Sequence, residues 1–169
     1  MFTLHPAIKN PAFWEDEHRS TNNEWRKLRT RVCVRDNYTC QFCGHHALKF
    51  MNAHHIGDVR DDSLANLITC CVACHAVFHA GFNCVVHNVA ALTVSSISQI
   101  EIIRQTRQGV KEGRALADIN KNLGLLDMTV VINQTRSVDS SNCLAYVWYY
   151  PLEVRMMYIS LKRWQLPEA

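Results

Sequence analysis

Two pairs of cysteines, each with two residues between them, constrain the fold of this chain most strongly. The pairs are Cys40 with Cys43 and Cys71 with Cys74. Each pair can place two thiolates on one Zn²⁺ ion, and two pairs complete a tetrahedral site. The gap between the pairs is longer than the ~15–20 residues of a compact four-cysteine module. The sequence therefore predicts one structural zinc ion that holds two cysteine turns around an inserted segment.

The composition favours metal binding over disulfide formation. The chain of 169 residues contains 8 Cys and 9 His. Eight cysteines in an exported protein could form four disulfides, whereas clustered Cys and His in a reducing compartment indicate metal. The N-terminus lacks the basic and then apolar layout of a signal peptide, and no apolar run approaches the ~20 residues of a membrane helix. We therefore expect a cytoplasmic protein with no membrane partner.

Histidines in and after the insert suggest a second metal site. His75 and His79 lie four residues apart, so on a helix their imidazoles would share one face and could bind one ion. His54 and His55 are neighbours at the end of a predicted strand and should face opposite ways. This arrangement favours one metal ligand and one general base, since neutral imidazole suits both tasks. The insert also contains Asn66.

Basic residues are concentrated just before the first cysteine pair, although the net charge of the chain is only +3. Trp25, Leu28 and Val32 fall at helical spacing, which places the basic residues on the opposite face of a predicted helix. A local basic stripe is typical of phosphate binding, and a solvated helix face is the alternative that the sequence leaves open. The stripe consists of Arg26, Lys27, Arg29, Arg31 and Arg35.

The combined pattern resembles the HNH endonucleases, whose fold is the ββα-metal motif. The resemblance covers residues 24–29, 35–44, 53–56, 66–75 and 78–79. It implies an α+β protein with an HNH nuclease core over residues 22–84, stapled by the four-cysteine zinc site. An irregular lead-in over residues 1–21 would precede this core. A C-terminal α/β extension of unspecified architecture would follow over residues 90–169 and serve packing, dimerisation or DNA specificity.

The resemblance also implies the function and the role of each site residue. The enzyme would hydrolyse DNA phosphodiester bonds, with double-stranded DNA as the favoured substrate, and leave 5′-phosphate and 3′-hydroxyl ends. His55 would be the general base, and Asn66 would brace the loop and the base. A catalytic Mg²⁺, Mn²⁺, Ni²⁺ or Zn²⁺ ion would bind His54, His75 and His79. The structural zinc would bind the four cysteines, and DNA phosphates would contact Arg26, Lys27, Arg29, Arg31, Arg35 and Arg60.

Some features depart from the family pattern. The loop after the histidine pair contains Asp58, Asp61 and Asp62. We interpret them as solvated acids, with Asp58 as the candidate for the metal shell. Cys70 adjoins Cys71, but only Cys71 has the correct spacing to Cys74. A non-catalytic, zinc-stapled nucleic-acid-binding module is the alternative function, although such a module would not need the histidines and Asn66 together.

The periodicity predicts the remaining elements in outline. The middle of the chain should form a strand, a loop, a strand and a helix, with the first strand at residues 48–56 and the helix at 71–82. A further helix is expected over residues 95–120, begun by a capping box of Ser98 and Glu101. Strands are expected at residues 128–133 and 143–150, and a last helix should begin at Pro151 and run through Trp164.

Overall fold

The computed structural model describes residues 2–9, 23–85, 87–126, 147–149 and 152–161. Within these ranges the chain is a mixed α+β protein with small antiparallel sheets, which confirms the predicted class. None of the helices in these ranges is long and apolar enough to span a membrane. The strands are β1 (Ala7–Lys9), β2 (Met51–His55), β3 (Leu67–Cys71), β4 (Ala90–Val94), β5 (Val147–Tyr149) and β6 (Val154–Tyr158). The helices are α1 (Asn23–Arg35), α2 (Val72–Phe78), α3 (Ala80–Val85), α4 (Gln99–Lys111) and α5 (Leu116–Asn122).

A hairpin-like pair of strands followed directly by a helix forms the centre of the molecule. Strands β2 and β3 are antiparallel, with Met51 opposite Cys71 and His55 opposite Leu67. All five residues of β3 are buried, and α2 begins at the next residue. The predicted order of strand, loop, strand and helix is therefore present. The first strand is shorter than predicted because Phe50 has a φ of 60°, which interrupts the extended backbone before Met51.

Helix α1 lies against this unit through its apolar face. Val32 is fully buried and packs with Ala53 of β2 and Leu67 of β3. Trp25 and Leu28 pack against the same cluster from the preceding turns. This packing is the one expected from their helical spacing, because residues three and four apart share a face of a helix.

Asp36, just after α1, ties the helix to β3. Its carboxylate accepts a hydrogen bond from the Thr69 amide at 2.8 Å and pairs with the Arg35 guanidinium at 2.8 Å. Arg35 also donates to the Leu67 carbonyl at 2.7 Å. Burial alone would raise the pKa of Asp36, but the hydrogen bonds from Arg35 and Thr69 outweigh it and hold that pKa below its ordinary value. The Asp36 carboxylate is therefore part of the scaffold.

Replacing Asp36 by asparagine should lower the free energy of unfolding by about 1–3 kcal/mol, because a neutral amide loses the charge-assisted bonds. A lowered folded-state pKa stabilises the fold above the unfolded pKa, and this contribution is lost as pH falls through the folded value. The deficit of the variant should therefore shrink in acid. Urea unfolding at neutral and acid pH measures it, with exposed Asp118→Asn as the control. Equal losses in the two variants would contradict the assignment.

The segment after the central unit shares its hydrophobic core. Strands β4 and β6 pair antiparallel, and the buried Gln99 amide exchanges two hydrogen bonds of 2.7 Å with the Met156 backbone. The Tyr158 hydroxyl donates to the Ala73 carbonyl of α2 at 2.8 Å. Leu92 and Ile103 belong to the same buried cluster as the four cysteines. This part of the extension therefore packs against the central unit.

Several predicted elements differ from the observed ones. The prediction of a last helix from Pro151 through Trp164 is wrong where the structure describes this segment, since residues 154–158 form β6 and pair with β4. The helix over residues 95–120 is two helices, α4 and α5, separated near Gly113, whose φ is 75°. Its predicted cap is confirmed, because the Ser98 hydroxyl accepts from the Glu101 amide. Residues 7–9 of the irregular lead-in form β1, and the predicted strand at 128–133 lies outside the described residues.

Candidate metal centre and histidine cluster

The four predicted zinc ligands form one buried cluster. Their sulfur atoms all lie within 4.8 Å of one another. The sulfurs of Cys43 and Cys71 are 3.7 Å apart, and a tetrahedral site with Zn–S bonds of ~2.3 Å requires about 3.8 Å between sulfurs. Both the thiol donors and their spacing therefore fit a zinc ion. The predicted four-cysteine site is confirmed as a group that can hold a metal. Its members are Cys40, Cys43, Cys71 and Cys74.

Local backbone geometry positions each pair of ligands. The first pair lies on a turn after α1, where the Gly44 amide donates to the Cys40 carbonyl at 2.9 Å. In the second pair, Cys71 is the N-cap of α2, and its sulfur accepts from the Cys74 amide at 3.5 Å. Cys70 is fully buried outside the group of four, so Cys71 and not Cys70 belongs to the candidate site, as the spacing predicts.

Two arginines of α4 reach the cysteine cluster from the extension. The Arg107 guanidinium donates to the sulfurs of Cys43 and Cys71 at 3.4 and 3.2 Å. Arg104 donates to the Cys43 carbonyl at 3.0 Å. Burial, together with the charge of Arg107, lowers the pKa of the neighbouring His45 to about 4. Sequence reasoning missed both arginines, because nothing local to α4 links them to cysteines about 60 residues earlier.

Three histidine rings lie together next to this centre. The His54 ring stacks on Phe78 with a centroid distance of 4.0 Å and lies 5.6 Å from the His75 ring. The rings of His75 and His79 are 4.7 Å apart. The prediction that one continuous helix carries His75 and His79 is wrong, because α2 ends at Phe78 and His79 is its C-cap. The Asn83 side chain donates to the carbonyls of Ala76 and His79 and so stabilises this helix end.

The ring positions do not by themselves amount to a formed metal site. In the part of the chain that the structure describes, the four cysteines are the only group of three or more candidate ligands whose donor atoms lie within 4.8 Å of one another. The nitrogens of His54, His75 and His79 thus do not converge to that extent. Imidazoles are suitable ligands for Zn²⁺, Ni²⁺ and Cu²⁺. The support for an ion at this position is therefore the chemistry of the three imidazole donors and not their geometry.

His55 has its own, separate set of contacts. Its Nε2 lies 2.8 Å from the Asp62 carboxylate, and its ring stacks on Trp25 of α1 at 5.7 Å. Asp62 is a residue that sequence reasoning assigned to solvent. Asp58, the acid singled out for the metal shell, accepts a hydrogen bond from the Arg60 amide within its loop. The fold of the loop, which brings Asp62 back to His55, could not be inferred from local spacing.

Asn66 holds the acidic loop in this position. Its side-chain amide donates to the carbonyls of Asp58 and Asp61 at 2.6 and 2.7 Å. The loop also approaches Asn66 closely at Gly57, where a Cβ atom would lie 2.8 Å from the Asn66 Oδ1 atom. Asn66 thus has the contacts that a bracing role requires, and the glycine at position 57 makes room for it.

The basic residues fall into two groups. Arg35 serves the fold through Asp36 and the backbone of β3, so its guanidinium is already engaged. The other four basic residues of α1 are exposed, and Arg60 is exposed on the acidic loop. These four residues of α1 are Arg26, Lys27, Arg29 and Arg31.

Comparison with known proteins identifies a relative of part of the chain. No protein-family model matches the chain. Over 73 residues the chain is 32% identical to the Type 4 apparatus protein DotN of Legionella pneumophila subsp. pneumophila. The match covers 42% of this chain and only 34% of DotN. It therefore identifies a relative for one segment and does not assign the whole chain to a family.

Proposed function

We propose that this protein is a metal-dependent endonuclease that hydrolyses DNA phosphodiester bonds. The observation that carries the proposal is the placement of His55 with Asp62 on one side of β2 and of His54 with His75 on the other. Adjacent strand residues face opposite ways, so one histidine can activate water while its neighbour binds an ion. The β2–β3–α2 order and the Asn66 brace support the same interpretation.

The contacts of His55 suit a general base. A carboxylate only accepts hydrogen bonds, so Asp62 would hold the proton on Nε2 and leave Nδ1 free to take a proton from water. Trp25, stacked on the ring, limits its rotation. An ion bound by His54, His75 and His79 would supply charge stabilisation at the scissile phosphate. The exposed basic residues of α1 would bind backbone phosphates with little sequence information.

A plasmid cleavage assay tests the proposal directly. Supercoiled DNA is incubated with the zinc-loaded protein and Mg²⁺, Mn²⁺ or Ni²⁺, with EDTA as the metal-free control. We expect metal-dependent nicking or linearisation and 5′-phosphate ends. No cleavage by folded protein with any of these ions, on plasmid or on RNA, would contradict a nuclease function.

Replacing Asp62 by asparagine should reduce the cleavage rate about 10-fold, because the residue would no longer fix the orientation and tautomer of His55. The effect should fall on kcat and leave KM for DNA nearly unchanged. Asp58→Asn is the matched control, because the described contact of the Asp58 carboxylate is with the Arg60 amide of the same loop. Equal rates for the two variants would show that Asp62 does not position the base.

A second candidate is a non-catalytic component of a type 4 apparatus. The similarity to part of DotN favours it. The cysteine cluster would then serve only to stabilise the fold, and the basic face of α1 would bind an acidic partner or nucleic acid. This candidate predicts salt-dependent binding that His55→Ala leaves intact, with no cleavage under any metal. Metal-dependent cleavage lost in His55→Ala would rule it out.

A further inference from the structure

We propose that Arg107 belongs functionally to the metal centre. Its side chain bridges the two cysteine turns and would slow dissociation of the ion that they bind. The inference concerns the cysteine cluster alone and is independent of nuclease activity. It assigns a role to the extension, because α4 supplies the arginine.

The contacts of Arg107 are those of a bridge between the two halves of the site. One terminal nitrogen donates to the sulfur of Cys43 in the first pair, and the other donates to the sulfur of Cys71 in the second pair. The two distances are 3.4 and 3.2 Å, ordinary for hydrogen bonds to sulfur. The planar fork of a guanidinium can make both bonds at once, whereas a lysine ammonium is a single point charge.

The charge of the site explains why an arginine belongs there. Four thiolates on one Zn²⁺ ion leave a formal charge of −2 in a buried location, where uncompensated charge is costly. The Arg107 guanidinium contacts two of these sulfurs and would offset half of that charge. A partner that donates to ligand atoms supports the metal-bound form of a site, so the contact should slow release of the ion.

A second contact holds the helix in register with the cysteines. Arg104 precedes Arg107 by one turn and donates to the carbonyl of Cys43 at 3.0 Å. Residues three apart lie on one face of a helix, so both side chains reach the same turn. Ile103, nearly fully buried, anchors α4 in the shared core. The position of the guanidinium is therefore fixed by the fold and not by the ion alone.

Zinc release and cobalt spectroscopy test this role. Wild-type protein, Arg107→Met and Arg107→Lys are prepared with Zn²⁺, and transfer to a coloured chelator is followed at neutral pH. We expect release about 10-fold or more faster in Arg107→Met, and an intermediate rate in Arg107→Lys. Co²⁺ replaces zinc in parallel samples, and its thiolate charge-transfer band should shift in both variants. Arg114→Met is the matched control, because Arg114 pairs with Glu112 on the surface.

The outcomes separate clearly. Release rates and Co²⁺ spectra equal to those of wild type in Arg107→Met would overturn the proposal. If Arg107→Met does not fold, Arg107→Lys decides: faster release supports the bridge, and wild-type release overturns it. Plasmid cleavage plays no part in either readout, so failure of this inference and failure of the proposed nuclease function are distinguishable.

Discussion

Replacing Cys74 by serine should abolish zinc binding and unfold the protein at neutral pH and 25 °C. Cys74 is fully buried, and its sulfur is one of only four candidate ligands in the cluster. Binding of structural zinc contributes roughly 10–16 kcal/mol in small zinc-stabilised folds. A whole domain of ordinary size has a net stability of only about 5–15 kcal/mol. Loss of the ion would therefore remove about as much free energy as the whole net stability of the folded domain.

Metal analysis and circular dichroism measure this effect. Wild-type protein should retain about one zinc ion per chain after gentle dialysis against a weak chelator, and Cys74→Ser should retain none. Cys84→Ser is the matched control, because Cys84 is a half-buried cysteine outside the group of four. A folded Cys74→Ser protein that still binds one zinc ion would show that the cluster does not hold the structural metal.

Replacing His55 by alanine should reduce metal-dependent DNA cleavage by about 10²–10⁴-fold, the usual contribution of a general base. The variant should keep its zinc and its melting temperature, since His55 is only partly buried and lies outside the cysteine cluster. DNA binding should also persist, because the exposed basic residues of α1 are unchanged. A selective loss of turnover with intact binding is the result that a catalytic role predicts.

Single-turnover cleavage of supercoiled plasmid, with protein in excess, isolates the chemical step. His46→Ala is the matched control, since His46 is an exposed histidine that contacts the Asn37 carbonyl. Cleavage that survives in His55→Ala at the wild-type rate would exclude His55 as the base. Loss of cleavage in both variants would point to a general effect of histidine removal and not to the chemistry of His55.

Local spacing was enough to predict the cysteine cluster, because two residues between cysteines already confine each pair to one turn. Only their pairing into one site needed the fold, and with two pairs there was little alternative. The packing of α1 followed for the same reason: Trp25, Leu28 and Val32 recur at the helical period. The Ser98 cap of α4 also depends on neighbours in sequence. Each of these features is decided within about four residues.

The tertiary structure alone decided the features that depend on distant segments. Residues 154–158 form a strand because β4 offers hydrogen-bond partners, which outweighs the local signal for a helix. Asp62 reaches His55 only because Asn66 folds the loop back. Arg107 meets the cysteines across 64 and 36 residues of sequence. Sequence by itself determined the four cysteines of the candidate metal site. The shared core determined which charges surround them, because a long-range contact exists only once both segments are packed.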